Sequence, residues 1–428
     1  MATFSVSDGT VRVNGTPFFP FGVRVPVEQV YDAWATLGSA LQEIANTFVF
    51  EGNLLATQGS VESYLNDMGS GQYAILDPDL FQNVHDCSLE DGHPATGTGG
   101  TTWHKNWFAT VRSYGSFADH MLAWWLTDEA NNLDQGDWAS CEASKVAPAH
   151  ATWAMDTETT PLVQFGLHAF ESNSDWTTYL KPKANMVTIN RYSTSYWRTP
   201  NAIEWANNYR DAGSGSIANI PFVQGYATDY PVSDYRLNSY DERRYLLYTS
   251  IVHGARGIIF YAELVEVAPN AWAYRINTTA IGSVYDEWTS TSIIPNDNKT
   301  MEDVLFATFQ SCSAESGTWV ASQYDSGTNT SGQTWAYGSN LTEDVQVLGR
   351  SIIGYGPATY YFFFAVNDAG VVRNGVKIYV PEALNGKTGT RLFESGTVGP
   401  VEYDPDAGYY FTDNFGSYRA HVYRFSSA

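Results

Sequence analysis

Between Phe18 and Tyr261 the chain holds eight short apolar runs that end in polar or charged residues, each separated from the next by a helix-like stretch. The runs are Phe18–Val25, Asn46–Phe50, Tyr73–Leu76, the segment beginning at Met121, Leu162–Phe170, Met186–Asn190, Pro221–Tyr226 and Gly257–Tyr261. Runs that do not alternate with polar residues suit strands buried on both faces. The stretches between them, such as Val27–Ile44, Val61–Met68, Trp107–Phe117, Val146–Thr157, Trp176–Leu180, Ile203–Ala212 and Asp241–His253, carry helical patterning. Right-handed crossovers can arrange such units as a doubly wound open sheet or as a closed ring, and a count of eight favours the ring. The expected fold is therefore α/β, a (β/α)8 TIM barrel.

Either side of this array the pattern changes. Thr3–Pro20 alternates, with turns at Asp8-Gly9 and Asn14-Gly15, and reads as a small β-hairpin unit. Beyond Leu264 comes a stretch rich in Thr, Ser and Asn over Asn277–Asn298, and Thr300–Gln310 reads as the last helix. After Cys312 the chain alternates with period two over Thr318–Tyr324, Gln333–Tyr337, Val345–Ile353, Thr359–Val366, Val376–Val380, Thr390–Phe393, Gly408–Phe411 and Tyr418–Phe425. That is the signature of an antiparallel β-sandwich. The expected domains are a barrel over 1–311 and an accessory sandwich over 312–428. The sandwich is expected to stiffen the barrel or to touch polymer.

Composition narrows the function. A formal charge of −23 repels polyanions, which argues against nucleic acid and anionic membrane surfaces as partners. No apolar run approaches the roughly 20 residues a bilayer span needs. The opening M-A-T-F-S-V shows no secretion signal. The acidity nonetheless suits an extracellular, secreted or virion-associated setting. Cys87, Cys141 and Cys312 allow at most one intramolecular bridge. A loop-to-loop Cys87–Cys141 disulfide and unpaired buried thiols both fit.

The chemistry concentrates at Met121 to Asn131, M-L-A-W-W-L-T-D-E-A-N, where an apolar strand ends in two adjacent carboxylates. Burying Asp128 and Glu129 is costly, so they belong where the strand meets a cleft. Catalytic groups of a parallel barrel collect at the carboxyl ends of its strands. The other expected strand ends supply Arg24, Glu51, Asp77, His168 with Glu171, Arg191 with Tyr192, Asp229 and Glu263. No glycine-rich phosphate loop, zinc-binding H-E-x-x-H or G-x-S-x-G elbow occurs, and no metal-ligand spacing appears among the cysteines. Neither cofactor nor metal is expected. Cleavage of a glycosidic bond needs two carboxyl groups, one to protonate the leaving oxygen and one to act as nucleophile or base.

At this point the residues carry a resemblance. V-R-V-N-G-T-P-F-F-P-F-G-V (Val11 to Val23), L-A-W-W-L-T-D-E (Leu122 to Glu129) and Y-L-L-Y-T-S-I-V-H-G-A-R-G-I-I-F-Y (Tyr245 to Tyr261) resemble barrel glycoside hydrolases of the clan-A-like group with a C-terminal β-domain. The resemblance implies that Glu129, after the fourth strand, is the acid/base. The seventh strand ends in Q-G-Y-A-T-D and lacks the glutamate that many such enzymes carry as nucleophile.

Two chemistries fill that gap. Either Glu263 or Asp229 is the second carboxylate, or the adjacent pair works alone. Consecutive Asp-Glu resembles that of hexosaminidase families in which the acid protonates and the aspartate orients a substrate acetamido group. The first is favoured. Arg24, His168, Arg191, Tyr192, Trp197, Tyr226, Tyr230, Tyr261 and Trp103 are the candidate sugar-binding residues, since flat rings with polar tips suit sugar faces. Each has a plainer role open to it: an acid after a strand also caps a helix, large rings are mostly core, and Arg24 also fits as a carboxylate's counter-ion. From another class, a barrel that binds carbohydrate without cleaving it, as a surface adhesin would, fits the same ring.

Overall fold

The computed structural model describes residues 2–28, 31–51, 58–76, 111–127, 162–168, 184–190, 217–224, 239–261, 263–268, 271–310, 312–314, 345–354, 358–368 and 372–428. They divide into two compact units. The first comprises Met1–Tyr192, Ala206–Ala227 and Arg256–Thr278, and the second Ser193–Trp205, Thr228–Ala255 and Thr279–Ala428.

The first unit opens with a three-stranded antiparallel meander of β1 (Phe4–Ser7), β2 (Thr10–Val13) and β3 (Thr16–Phe18). Its two turns take the left-handed conformation at Asp8 and Gly9 (φ 53° and 69°) and at Asn14 and Gly15 (φ 52° and 79°). Asx-Gly pairs adopt it most readily, and it twists a hairpin the way its strands need.

Parallel strands follow: β4 (Phe21–Glu28, with a short antiparallel partner β5, Tyr31–Asp32), β6 (Thr47–Glu51), β7 (Tyr73–Leu76), β8 (Met121–Thr127), β9 (Leu162–His168), β10 (Met186–Asn190), β11 (Ala218–Asn219), β12 (Phe222–Gln224) and β13 (Ile258–Tyr261). Helices α1 (Ala33–Gln42), α2 (Gln58–Asp67) and the single turn α3 (Phe117–His120) lie between them in sequence. The ladders run β4-β6-β7-β8-β9-β10-β12-β13, and β13 pairs in turn with β4. All eight of these ladders are parallel, so the eight carboxyl ends share one edge.

Side-chain alternation gives the ladder two apolar faces. On one, Trp34 of α1 packs edge-on against Phe48 and Phe50 at 5.0 and 5.3 Å, and Tyr64 of α2 stacks on Phe50 at 4.9 Å. On the other, Val49, Ile75, Ala123, Trp125, Met186, Phe222 and Ile259 form one buried cluster. Within it Trp125 of β8 meets Phe222 of β12 at 5.1 Å, although β9 and β10 separate those strands in the ladder. The sheet therefore curls around its own core. Phe4 and Phe18 of the meander pack edge-on against Tyr73, the first residue of β7, at 5.4 and 5.1 Å. The meander thus covers the amino-terminal edge, which leaves the carboxyl edge for chemistry.

The second unit holds α4 (Tyr240–Val252), α5 (Thr278–Thr289), α6 (Met301–Leu305) and two antiparallel sheets. The first unit's remaining strands, β14 (Glu263–Ala268) and β15 (Ala271–Arg275), precede them as a hairpin. One sheet is β16 (Thr308–Gln310), β18 (Val345–Ile353), β19 (Thr359–Asn367), β25 (Arg419–Ser426), β21 (Gly389–Leu392) and β22 (Thr397–Val398). The other is β17 (Ser313–Ala314), β20 (Arg373–Tyr379), β24 (Gly408–Phe415) and β23 (Glu402–Asp404). Their inner faces enclose a core with Val347, Phe363, Ile378, Phe411, Tyr423 and Phe425.

Three local expectations change. The end of the Val27–Ile44 stretch is helical, but its start continues β4 and forms β5. Asn277–Asn298 contains α5, whose Ile281, Val284 and Trp288 are buried at helical spacing. Thr300–Gln310 yields one turn, α6, with a Thr300–Asp303 capping box, and then a strand. Cys312 is a buried free thiol, whose pKa burial pushes up. Cys87, Cys141, the expected strands Thr318–Tyr324 and Gln333–Tyr337, and the expected helices within 107–110, 146–157, 176–180 and 203–212 lie outside the described residues. Among those described, no helix is long and apolar enough to cross a membrane.

Candidate active site

At the shared carboxyl edge, β4 and β13 lie side by side with Val23 opposite Phe260. That register sets Arg24 beside Tyr261, and the Arg24 guanidinium carbon stands 4.0 Å from the centre of the Tyr261 ring. Tyr261 packs at the rim of the inner cluster, which holds its ring from below while its outer part stays accessible. A guanidinium over a ring face is held by the ring's quadrupole. Gly22 makes the approach of the two strands close. A Cβ added there would come within 2.9 Å of Ile259 Cγ1 and 3.2 Å of the Thr47 carbonyl.

The neighbouring strand ends follow round the edge. Gln224 faces Tyr261, His168 faces Asn190, and Glu51 faces Pro26 in register. Beyond Tyr261 the chain turns back on itself as the β14–β15 hairpin, with Glu263 in register with Arg275. The sequence reading places no hairpin here, because the segment falls where the eightfold strand repeat ends. Of the expected site residues, the structure thus brings Arg24 and Tyr261 together and places the backbones of His168 and Glu263 at the same edge. Asp128, Glu129, Asp229, Arg191, Tyr192, Trp197, Tyr226, Tyr230 and Trp103 lie outside the described residues. So do Asp77 and Glu171. Among the described residues no group of His, Cys, Asp and Glu is arranged to hold a metal.

A second polar concentration lies wholly within the second unit, along α4. Asp368, fully buried at the end of β19, accepts from Tyr245 at 2.7 Å, Thr249 at 2.8 Å and His253 Nε2 at 2.8 Å, residues one helical turn apart. On the adjacent stripe, Glu287 of α5 accepts from Tyr240, from Tyr248 at 3.0 Å and from Arg244 Nε at 3.0 Å. Arg244 also reaches Glu394, which pairs with His421 Nδ1 at 2.9 Å. Burial and then the nearby Glu394 charge push the Glu287 carboxyl up to about 9. Burial also raises Glu394, but the His421 hydrogen bond and the Arg244 and His421 charges outweigh it and hold that carboxyl below its usual range. These groups satisfy one another and fasten α4 to β19, β25 and α5. Their arrangement is architectural.

No protein-family profile matches the chain, and no curated protein is similar to it. Solved structures do match over nearly the whole length. A glycoside hydrolase superposes with a TM-score of 0.52 at 12% identity, covering 99% of this chain and 96% of its own. The likeness is one of fold, a parallel α/β ladder followed in sequence by antiparallel sheets. A GH27 β-L-arabinopyranosidase from Geobacillus stearothermophilus, in complex with arabinose, superposes with a TM-score of 0.50 at 10% identity, covering 96% of this chain and 97% of that one. Its wild-type form does so with 0.50 at 9% identity, covering 95% and 96%.

Proposed function

We propose that the eight-stranded parallel ladder is a closed (β/α)8 barrel and that its carboxyl mouth cleaves glycosidic bonds. The observation that carries the reading is the cyclic ladder order, in which β8 and β13 stand four strands apart in either direction. Glu129 follows the end of β8 by two residues, and Glu263 follows the end of β13 by two. In this reading the two carboxylates stand across one mouth, and Arg24 and Tyr261, at the Glu263 end, supply a cation and a ring.

In this reading Glu129 gives its proton to the glycosidic oxygen as the bond to the sugar breaks. Glu263 attacks the anomeric carbon or takes a proton from the attacking water; Asp229, after β12, is the other candidate for that role. Carboxyls roughly 5–5.5 Å apart give retention and roughly 6.5–9.5 Å inversion. Tyr261 offers a face to the sugar ring, and Arg24 offers donors to a hydroxyl or to the second carboxylate.

The test is release of nitrophenol from a panel of aryl glycosides, β-L-arabinopyranoside included because a protein of this fold is named for that sugar. Wild type is expected to hydrolyse at least one, with Glu129→Gln and Glu263→Gln each lowering kcat/KM by about 10²-fold or more. Full activity in Glu129→Gln would overturn the assignment. Binding of glycan with no release by wild type would replace the hydrolase with a carbohydrate-binding cleft.

A further inference from the structure

The four-stranded sheet of the second unit has an outward face that the catalytic reading does not use. Residues in register across strands share a face. Val376, Ile378 and Phe411 point into the buried core. The alternate positions, Lys377, Tyr379, Tyr410, Thr412, Glu402 and Asp404, therefore point out, and all six are partly or fully exposed.

Their arrangement is ordered. Tyr379, Tyr410 and Glu402 form one row across β20, β24 and β23. The two rings lie 5.8 Å apart, inclined at 55°. The Tyr410 hydroxyl donates to Glu402 at 2.9 Å. Lys377 Nζ stands 4.7 Å from the centre of the Tyr410 ring and pairs with Asp404 at 3.1 Å. The Tyr410 ring is thus held before any ligand arrives, which lowers the entropy lost on binding.

We propose that this face is a carbohydrate-binding platform for a neutral glycan, separate from the barrel mouth and independent of its chemistry. The charge pattern selects the occupant. One ammonium faces two carboxylates, on a chain whose net charge is −23, so nucleic acid, anionic lipid and uronate polymers are repelled. A neutral sugar instead lays its C–H face on Tyr379 and Tyr410 and directs its hydroxyls to Glu402, Asp404 and Thr412.

The experiment is retention of the full chain in affinity gels containing xylan, galactan, mixed-linkage β-glucan, starch or polygalacturonate, with light scattering in parallel. Retention by at least one neutral polymer is expected, at least tenfold weaker in Tyr379→Ala/Tyr410→Ala. Thermal unfolding checks that the double variant folds; Tyr379→Ala alone, expected to weaken retention at least threefold, replaces it should it not. Retention by no neutral polymer, stronger retention by polygalacturonate, or tyrosine variants that bind as wild type would overturn the proposal. So would dimers in wild type that the tyrosine changes dissolve, since the occupant would then be a second copy. Retention without hydrolysis of any aryl glycoside would leave the platform standing and sink the catalytic reading alone.

Discussion

Arg24 on β4 holds its guanidinium 4.0 Å from the ring centre of Tyr261 on β13, across the ladder that joins the last parallel strand to the first. The contact ties those two strands together at the edge where substrate is expected.

Tyr261→Ala removes the ring and is expected to cost about 0.5–2 kcal/mol in stability, the range for a cation over an aromatic face. If the ring also carries the sugar, kcat/KM falls at least tenfold. Tyr261→Phe keeps the ring under Arg24 and is expected to lose less stability than Tyr261→Ala. Urea unfolding with steady-state kinetics on both variants checks this.

Asp368 gathers three donors from successive turns of α4. Asp368→Ala leaves Tyr245, Thr249 and His253 buried without their acceptor, at about 1–3 kcal/mol for each group so stranded, less what local rearrangement recovers. A loss of about 3 kcal/mol or more is expected in denaturant unfolding. Asp368→Asn retains one acceptor oxygen and is expected to lose less.

Glu287 and Glu394 predict opposite pH dependences. The Glu287 carboxyl is raised to about 9. Its contribution is fully present below the usual carboxylate range and is lost as pH rises towards 9, because deprotonation is easier in the unfolded chain. Stability of Glu287→Gln relative to wild type should therefore increase as pH rises through that window. Glu394 is depressed, so its contribution is present above the usual carboxylate range and is lost as pH falls through its folded pKa. The stability deficit of Glu394→Gln should shrink on acidification. Urea titrations of wild type and both variants across pH measure the two trends.

Sequence patterning located strands well where a strand is apolar on both faces. Tyr73–Leu76 and Met186–Asn190 have the expected bounds, and so does Val345–Ile353 in the sandwich. It failed where composition masked periodicity. The Thr- and Ser-rich surroundings of α5 hide the spacing of Ile281, Val284 and Trp288, and β14–β15 falls where the strand repeat ends, so no repeat marks it. The role of α4 was legible only in part. Tyr240, Arg244 and Tyr248, and beside them Tyr245, Thr249 and His253, repeat every fourth residue, which marks a polar double stripe on a helix. Nothing local says that their partners, Glu287, Asp368 and Glu394, come from far along the chain. At the site, Arg24 and Tyr261 were legible as strand-end residues, but their contact required the ladder that brings the first and last parallel strands together.

The central claim is that Glu129 is the proton donor, and leaving-group dependence tests it most directly. The measurement is kcat/KM of wild type and Glu129→Gln on two glycosides of the same sugar, one with a poor alkoxide leaving group and one with dinitrophenolate, which departs without protonation. The account predicts a loss of about 10²–10⁴-fold on the first and a much smaller one on the second. Equal losses on both, or no loss on either, would contradict it.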